Sequence, residues 1–302
     1  MKAITKITFL NDENEKFFGE GPGRLLRMVE KTGSLHSAAI AMDMAYTKAM
    51  KLLKNAEKAL GFALTTRAIG GKNGGGSRLT EEGRAWLERY EAYRDACAQA
   101  NESLYRDYFP RVGCVIMASG LGRRFGGNKL MADFGGEPMI CRAMSATERI
   151  FDRRVVVTRH GDVAELCRER GIEVVLHDLP DRSDTVRLGL EAVGDVDGCM
   201  FIPGDQPLLS RDTVAKLVRS WEAERDFIWR TAHGDAPGAP VLFPARSFEQ
   251  LMHLPNRRGG GYLLEKYPDR VRCMNVENAW ELVDADTPDT LRELCKEMRK
   301  GL

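Results

Sequence analysis

The chain has 302 residues, 43% of them hydrophobic and 29% charged, with 45 Lys+Arg against 44 Asp+Glu. That composition belongs to an ordinary folded protein long enough for two cores, and it excludes a collagen, a peptide toxin and a disordered tail. The formal net charge of +1 excludes a uniformly basic coat for nucleic acid, yet residues 20–80 hold ten cations against four acids, a local +6 that leaves −5 elsewhere.

Residues 1–18 show no signal-peptide core, and no later apolar run reaches the roughly 18 residues of a membrane helix, so no membrane contact and a cytoplasmic location are expected. Seven scattered cysteines without a C-x-x-C pair read as reduced thiols. Three short helices follow from the spacing of Leu25, Leu26, Met28 and Val29, then Leu35, Ala38, Ala39 and Met42, then Ala49, Leu52, Leu53, Ala56 and Leu60. Gly33-Ser34 caps the second helix and Asp43-Met44 makes a tight turn. The third opens near Ala45 with Tyr46, Thr47, Lys48 and Lys51 on its exposed side. Residues 63–69 read as a strand, 70–76 as a glycine-rich turn and 77–79 as a returning strand, a wing carrying Arg67, Lys72 and Arg78. A helix that presents donors and cations at its start suits the major groove, and cations on a wing add salt-sensitive phosphate contacts.

A long helix is expected over 80–108. Trp86, Tyr90, Tyr93, Cys97, Ala100 and Leu104 recur in steps of four and three, a heptad seam that predicts a homodimer through this helix, the alternative being packing on its own domain. After Pro110 the pattern changes to short apolar strands at 114–118, 155–158, 173–176, 199–202, 227–231 and 241–243, separated by helical stretches. They predict a Rossmann-like α/β domain with a mostly parallel sheet and helices on both faces. The expected layout is a winged helix-turn-helix over 1–79, a linker helix over 80–110 and an α/β domain over 111–302.

The first α/β strand ends at Ala118 and runs into Ser119-Gly120-Leu121-Gly122-Arg123-Arg124-Phe125-Gly126-Gly127-Asn128-Lys129. Glycines let backbone N–H groups approach an anion, and a cationic loop at the carboxyl end of a parallel strand suits a triphosphate. Asp205 follows the apolar run 199–202, and Asp284 and Asp286 precede the final helix, where Thr287-Pro288 also reads as a helix start. Such carboxylates suit Mg²⁺, which takes one or two of them and fills its shell with phosphate oxygens and water.

Residues 33–39, 44–49 and 60–61 and the wing Gly70-Gly71-Lys72-Asn73-Gly74-Gly75-Gly76-Ser77-Arg78-Leu79 resemble the DNA-binding module of ModE-type molybdate-responsive regulators, which implies a DNA operator as partner. Family members usually carry Ser where Ala45 stands and Trp where Met50 stands. Met117-Ala118-Ser119-Gly120-x-Gly122-x-Arg124-Phe125-Gly126-x-x-Lys129-Leu130, Gly204-Asp205-Gln206-Pro207 and Asp284-x-Asp286-Thr287-Pro288 resemble the MobA-like nucleotidyltransferases, with the molybdenum cofactor cytidylyltransferases the nearest in pattern. The resemblance implies transfer of CMP from CTP, with GTP the less favoured nucleotide, to the phosphate of molybdopterin cofactor. Gly120 and Gly122 would then cradle the triphosphate with Ala118 and Ser119 beside it, Arg124 and Lys129 would neutralise it, and Asp205 with Asp286 or Asp284 would hold Mg²⁺. Ser183 and Thr185 stand where the family contacts nucleotide. Arg257, Arg258 and Gly260 stand where it meets the pterin side, in place of its usual Gly-Asp-x-Gly. A nucleotidyltransferase fold kept as a ligand sensor for the regulator, and transfer to another phosphorylated acceptor, are the competing expectations.

Overall fold

The computed structural model describes residues 3–68, 76–122 and 124–300. The chain divides into two compact units, Met1–Tyr108 and Phe109–Leu302.

In the first unit β1 (Thr8–Leu10) and β2 (Lys16–Gly19) form an antiparallel hairpin that the sequence reading does not anticipate. Asn11 makes it: its side-chain oxygen accepts from the backbone N–H of Glu13 at 3.1 Å and of Glu15 at 2.8 Å, and Asn14 adopts φ +60°. Asn tolerates that conformation and closes its own turn, a local signal present in Asn-Asp-Glu-Asn. Helices α1 (Glu20–Thr32), α2 (Leu35–Ala41) and α3 (Tyr46–Leu60) follow, then the antiparallel pair β3 (Thr65–Ala68) and β4 (Gly76–Leu79). Gly33 ends α1 at φ +69° and Ser34 caps α2 by accepting from Ser37 N–H at 3.4 Å. The buried faces of all three helices, with Phe18 and Leu64, make one core.

Helix α4 (Glu81–Tyr108) joins that core at its N-terminal end through Leu87 and Tyr90, with Trp86 packed alongside. Phe18 stacks edge-on against Trp86 and Tyr90 at 5.6 and 5.0 Å. The six-residue seam is therefore divided: Trp86 and Tyr90 are used within the unit, Tyr93 meets Phe9 at 6.1 Å while staying half exposed, and Leu104 is exposed. The reason is chain reversal at the hairpin, which brings Phe9 and Phe18 onto the face that heptad spacing alone leaves open.

The second unit holds β5 (Val112–Ala118), α5 (Ile140–Ala146), β6 (Arg153–Thr158), α6 (Gly161–Glu169), β7 (Glu173–Leu176), α7 (Arg182–Val193), β8 (Gly198–Pro203), α8 (Arg211–Ala223), β9 (Ile228–His233), β10 (Ala236–Pro244), α9 (Phe248–Met252), α10 (Gly261–Lys266), β11 (Val271–Asn275) and α11 (Pro288–Lys300). Seven strands form one sheet in the order β11-β9-β10-β8-β5-β6-β7. β5, β6, β7 and β8 pair in parallel, as do β9 and β11, while β10 runs antiparallel to both of its neighbours because β9 and β10 meet in a hairpin. Gly234 adopts φ +56° in that hairpin's turn. β5 and β8 sit at the centre with helices over both faces, so their side chains are buried on both sides, which accounts for apolar runs without alternation.

The second half of α7 is held close to β5 by Gly189, where a Cβ would stand 2.6 Å from Val115 Cγ1. Gly189→Ala is expected to destabilise this unit by about 1–3 kcal/mol, the usual cost of overpacking. A chemical denaturation curve measures it, and an unchanged midpoint would contradict the packing account.

Candidate active site

The loop after β5 is shaped by its glycines. Gly122 adopts φ +57° and its carbonyl accepts from the N–H groups of Phe125 at 2.9 Å and Gly126 at 3.1 Å. A Cβ on Gly122 would lie 2.3 Å from the Gly127 carbonyl oxygen, so no other residue fits without moving the loop. The loop is tied down by His160 Nε2, which donates to Gly120 O at 2.9 Å, and by Asn128, whose amide donates to both Asp162 oxygens at 2.9 Å. Ser119 Oγ donates to Val157 O at 3.2 Å and lies 2.8 Å from His177 Nε2, so its hydroxyl is spent on holding the loop to β6 and β7.

Lys129 is only 8% exposed. Its Nζ lies 2.5 Å from Asp205 Oδ2 and 2.7 Å from Asp286 Oδ1, and Arg124 approaches the other Asp286 oxygen at 3.6 Å. Burial works against the Lys129 ammonium, but Asp205 and Asp286 outweigh it and hold its pKa above the ordinary lysine value. The hydrogen bond from Lys129, with the charges of Lys129, Arg124 and Arg182, holds the Asp286 carboxyl below the usual range against the opposing effect of burial. Asp205 sits at the carboxyl end of β8, where its carbonyl accepts from Ala285 N–H at 2.8 Å, joining the two acidic segments. Thr287 caps α11 by accepting from Thr290 N–H at 3.1 Å, with Pro288 at the first helical position, which leaves Asp286 free to face Lys129.

Asp284 behaves differently. Of the two alternatives for the partner of Asp205, Asp286 is the carboxylate that shares the Lys129 ammonium with it; among the described residues no three His, Cys, Asp or Glu side chains form a metal-ligating group. Partial desolvation, then Asp205 and Asp286, push the Asp284 carboxyl pKa up. A carboxyl raised in the folded state contributes stability below the ordinary Asp range and loses it as pH rises through the raised value. At about pH 7, Asp284→Asn is therefore expected to raise the melting temperature of the metal-free protein, and at about pH 4 the difference should shrink. Equal melting temperatures at neutral pH would contradict this.

Lys129 and Asp205 line a cavity of about 270 Å³ bounded also by Ser119, Gly120 and Thr185 together with Arg159, Leu179, Pro180, Asp181 and Arg182. Thr185 is buried on its wall. Ser183 does not line it, and Ala118 is buried at the end of β5. Asp181 and Asp184 form a reciprocal capping box at the start of α7. Arg159 and Arg182 are cavity-lining cations that the sequence reading does not single out; Arg182 immediately precedes Ser183, the first residue of that reading, and nothing local marks it.

In the segment expected to meet the pterin side, Arg258 pairs with Glu265 and lies 5.3 Å over the Tyr262 ring, and Arg257 is exposed at φ +66°. Gly260 has a packing reason, since a Cβ there would come within 2.9 Å of Phe243. In the first unit Tyr46, Thr47, Lys48, Lys51 and Arg78 are exposed. Lys72 and the side chain of Arg67 lie outside the described residues.

The glycine loop after β5 and Asp205 after β8 stand at the carboxyl ends of central parallel strands, where ligands of such sheets usually bind. The family model described as MobA-like NTP transferase domain matches residues 114–271, just over half of the chain, and the chain belongs to that family. A molybdenum cofactor cytidylyltransferase from Escherichia coli is 25% identical over 187 residues, 59% of this chain and 92% of that protein. A probable molybdenum cofactor guanylyltransferase from Bacillus licheniformis is 26% identical over 190 residues, 60% of this chain and 94% of that one. A 3-deoxy-manno-octulosonate cytidylyltransferase from Chlorobium phaeovibrioides is 38% identical over 90 residues, 28% of this chain, which spans 36% of that enzyme's length. A nucleotidyl transferase from Methanothermobacter shares the fold with a TM-score of 0.56 at 22% identity, over 64% of this chain and 99% of that one. No helix among the described residues is long and apolar enough to cross a membrane.

Proposed function

We propose that residues 109–302 transfer CMP from CTP to the phosphate of molybdopterin cofactor, with release of pyrophosphate. The observation that carries this reading is that buried Lys129, which Asp205 and Asp286 both contact, lines with Asp205 a cavity beside the Gly120–Gly122 loop. The nucleophile is a phosphate oxygen already ionised at neutral pH, so the protein has to position two anions and neutralise them, with no general base required. Gly120 and Gly122 let the backbone approach the triphosphate, and Arg124 and Lys129 supply the cations. Asp205 and Asp286, two carboxylates brought together around Lys129, are a donor set that fits a hard divalent ion and would hold Mg²⁺. Bound Mg²⁺ would neutralise phosphate oxygens and fix their orientation. The cytidylyl choice rests on Asn128-Lys129-Leu130 and Gly204-Asp205-Gln206-Pro207-Leu208; relatives named for either base match along the same stretch.

The test is pyrophosphate release from CTP and from GTP with Mg²⁺ and molybdenum-loaded molybdopterin. Release with CTP alone supports the assignment, and release with GTP alone reverses the base. Tight nucleotide binding without release favours the sensor reading, and release with a sugar or alditol phosphate but not with molybdopterin moves the acceptor.

We further propose that residues 1–79 are a winged helix-turn-helix that binds an operator and that the exposed second half of α4 pairs two chains. The specific observation is the exposed face of α3, where Lys48, Lys51, Lys54 and Lys58 meet no carboxylate among the described residues. Tyr46 and Thr47 at the start of α3 would face base edges, and Lys48, Lys51 and Arg78, with Arg67 and Lys72, would face phosphates. Replacing Lys51 by Ala should weaken binding to a mixed-sequence duplex and reduce the salt slope by about 1. A wild-type protein that binds no duplex at low salt would end this reading.

A further inference from the structure

We infer that Arg182 is the residue that grips the phosphate of the acceptor, the partner of the nucleotide in the reaction proposed above, on which this inference rests. Two anions must meet at the α-phosphorus, and at close range their repulsion is large unless each is neutralised. The loop after β5 supplies Arg124 and Lys129 to one of them. Arg182 comes from a different element, the first residue of α7, and lines the same cavity.

Three observations direct it to the acceptor. It lines the cavity that Lys129 and Asp205 also line, and its charge adds to those of Lys129 and Arg124 in holding the Asp286 carboxyl low. It packs on the segment that follows Arg258, where a Cβ on Gly259 would lie 3.2 Å from Arg182 Cδ, so its stem runs between the nucleotide cavity and the loop on the pterin side. It is exposed and, among the described residues, has no ion-pair partner within contact distance. The helix end itself is a poor anion site, because the Asp181 and Asp184 carboxylates stand there in a capping box and take the N–H groups of Asp184 and Asp181. The grip must then come from the guanidinium, whose fork matches two phosphate oxygens.

The step balances without a further reactant. An acceptor phosphate oxygen forms the bond to the α-phosphorus, the bond from that phosphorus to the bridging oxygen of the β-phosphate breaks, and pyrophosphate leaves with the electron pair. Arg182 holds the attacking phosphate and transfers no proton.

The test compares wild type with Arg182→Gln and Arg182→Lys by two readouts, calorimetric binding of CTP with Mg²⁺ and the KM for molybdopterin in pyrophosphate release. The expected result for Arg182→Gln is CTP affinity within about twofold of wild type and an acceptor KM raised by about tenfold or more, with partial recovery in Arg182→Lys. A parallel loss of CTP affinity would move Arg182 to the triphosphate, and two unchanged readouts would leave it a solvent arginine; either result overturns the inference. Should wild type release no pyrophosphate with either nucleotide, the functional reading fails separately. Binding of inorganic phosphate to the CTP-loaded protein then decides: weaker in Arg182→Gln supports the grip, and equal binding overturns it.

Discussion

Lys129→Ala is expected to lower the rate of pyrophosphate release by about 10²–10³-fold, the size of effect seen when one preorganised charge partner of a transition state is removed. The substitution leaves the Asp205 and Asp286 carboxylates facing a triphosphate with no ammonium between them. Because the Lys129 pKa is held above the ordinary value, the side chain is charged throughout the neutral range, and raising pH modestly should not mimic the mutant. Lys129→Arg should recover little. The ammonium is a point charge sitting within 2.7 Å of two carboxylates in a nearly closed space, and a planar guanidinium on a longer stem does not fit that geometry. Steady-state kinetics checks this, with a melting curve to confirm folding. A mutant whose kcat is intact and whose KM alone rises would show that Lys129 only binds nucleotide.

Gly122→Ala should abolish most nucleotide binding, with CTP affinity falling by at least about tenfold, equivalent to roughly 1.4 kcal/mol. The φ of +57° and the 2.3 Å approach of a Cβ to the Gly127 carbonyl oxygen leave alanine no way to sit without moving the loop. Gly120→Ala is the internal comparison. A Cβ there meets nothing within 4 Å, so any loss reports closeness to the phosphate rather than loop strain. Calorimetric titration of CTP into both variants separates the two, and equal affinities for wild type and Gly122→Ala would show that this loop conformation is not what binds the nucleotide.

The sequence by itself determined a good deal. Apolar runs at 114–118 and 199–202 are long enough and uniform enough to identify central parallel strands, since such strands are buried on both faces. Glycines, a lysine and an aspartate at the ends of those runs marked the site, because backbone freedom and fixed charge are written in residue types. Helix starts at Ser34 and at Thr287-Pro288 were equally readable, being local.

What the tertiary structure decided depends on contacts between distant positions. Lys129 and Asp286 lie 157 residues apart, and only the sheet order brings both to Asp205. Asp284 and Asp286 look equivalent in sequence, but Thr287 takes the cap and Lys129 selects one of the two carboxylates. The antiparallel β10 and the division of the α4 seam arise from hairpins that place one strand or aromatic ring against a remote partner. Arg182 became a candidate for the reaction only when α7 carried it to the cavity wall. Charge and conformational preference are properties of a residue, whereas distance is a property of the fold.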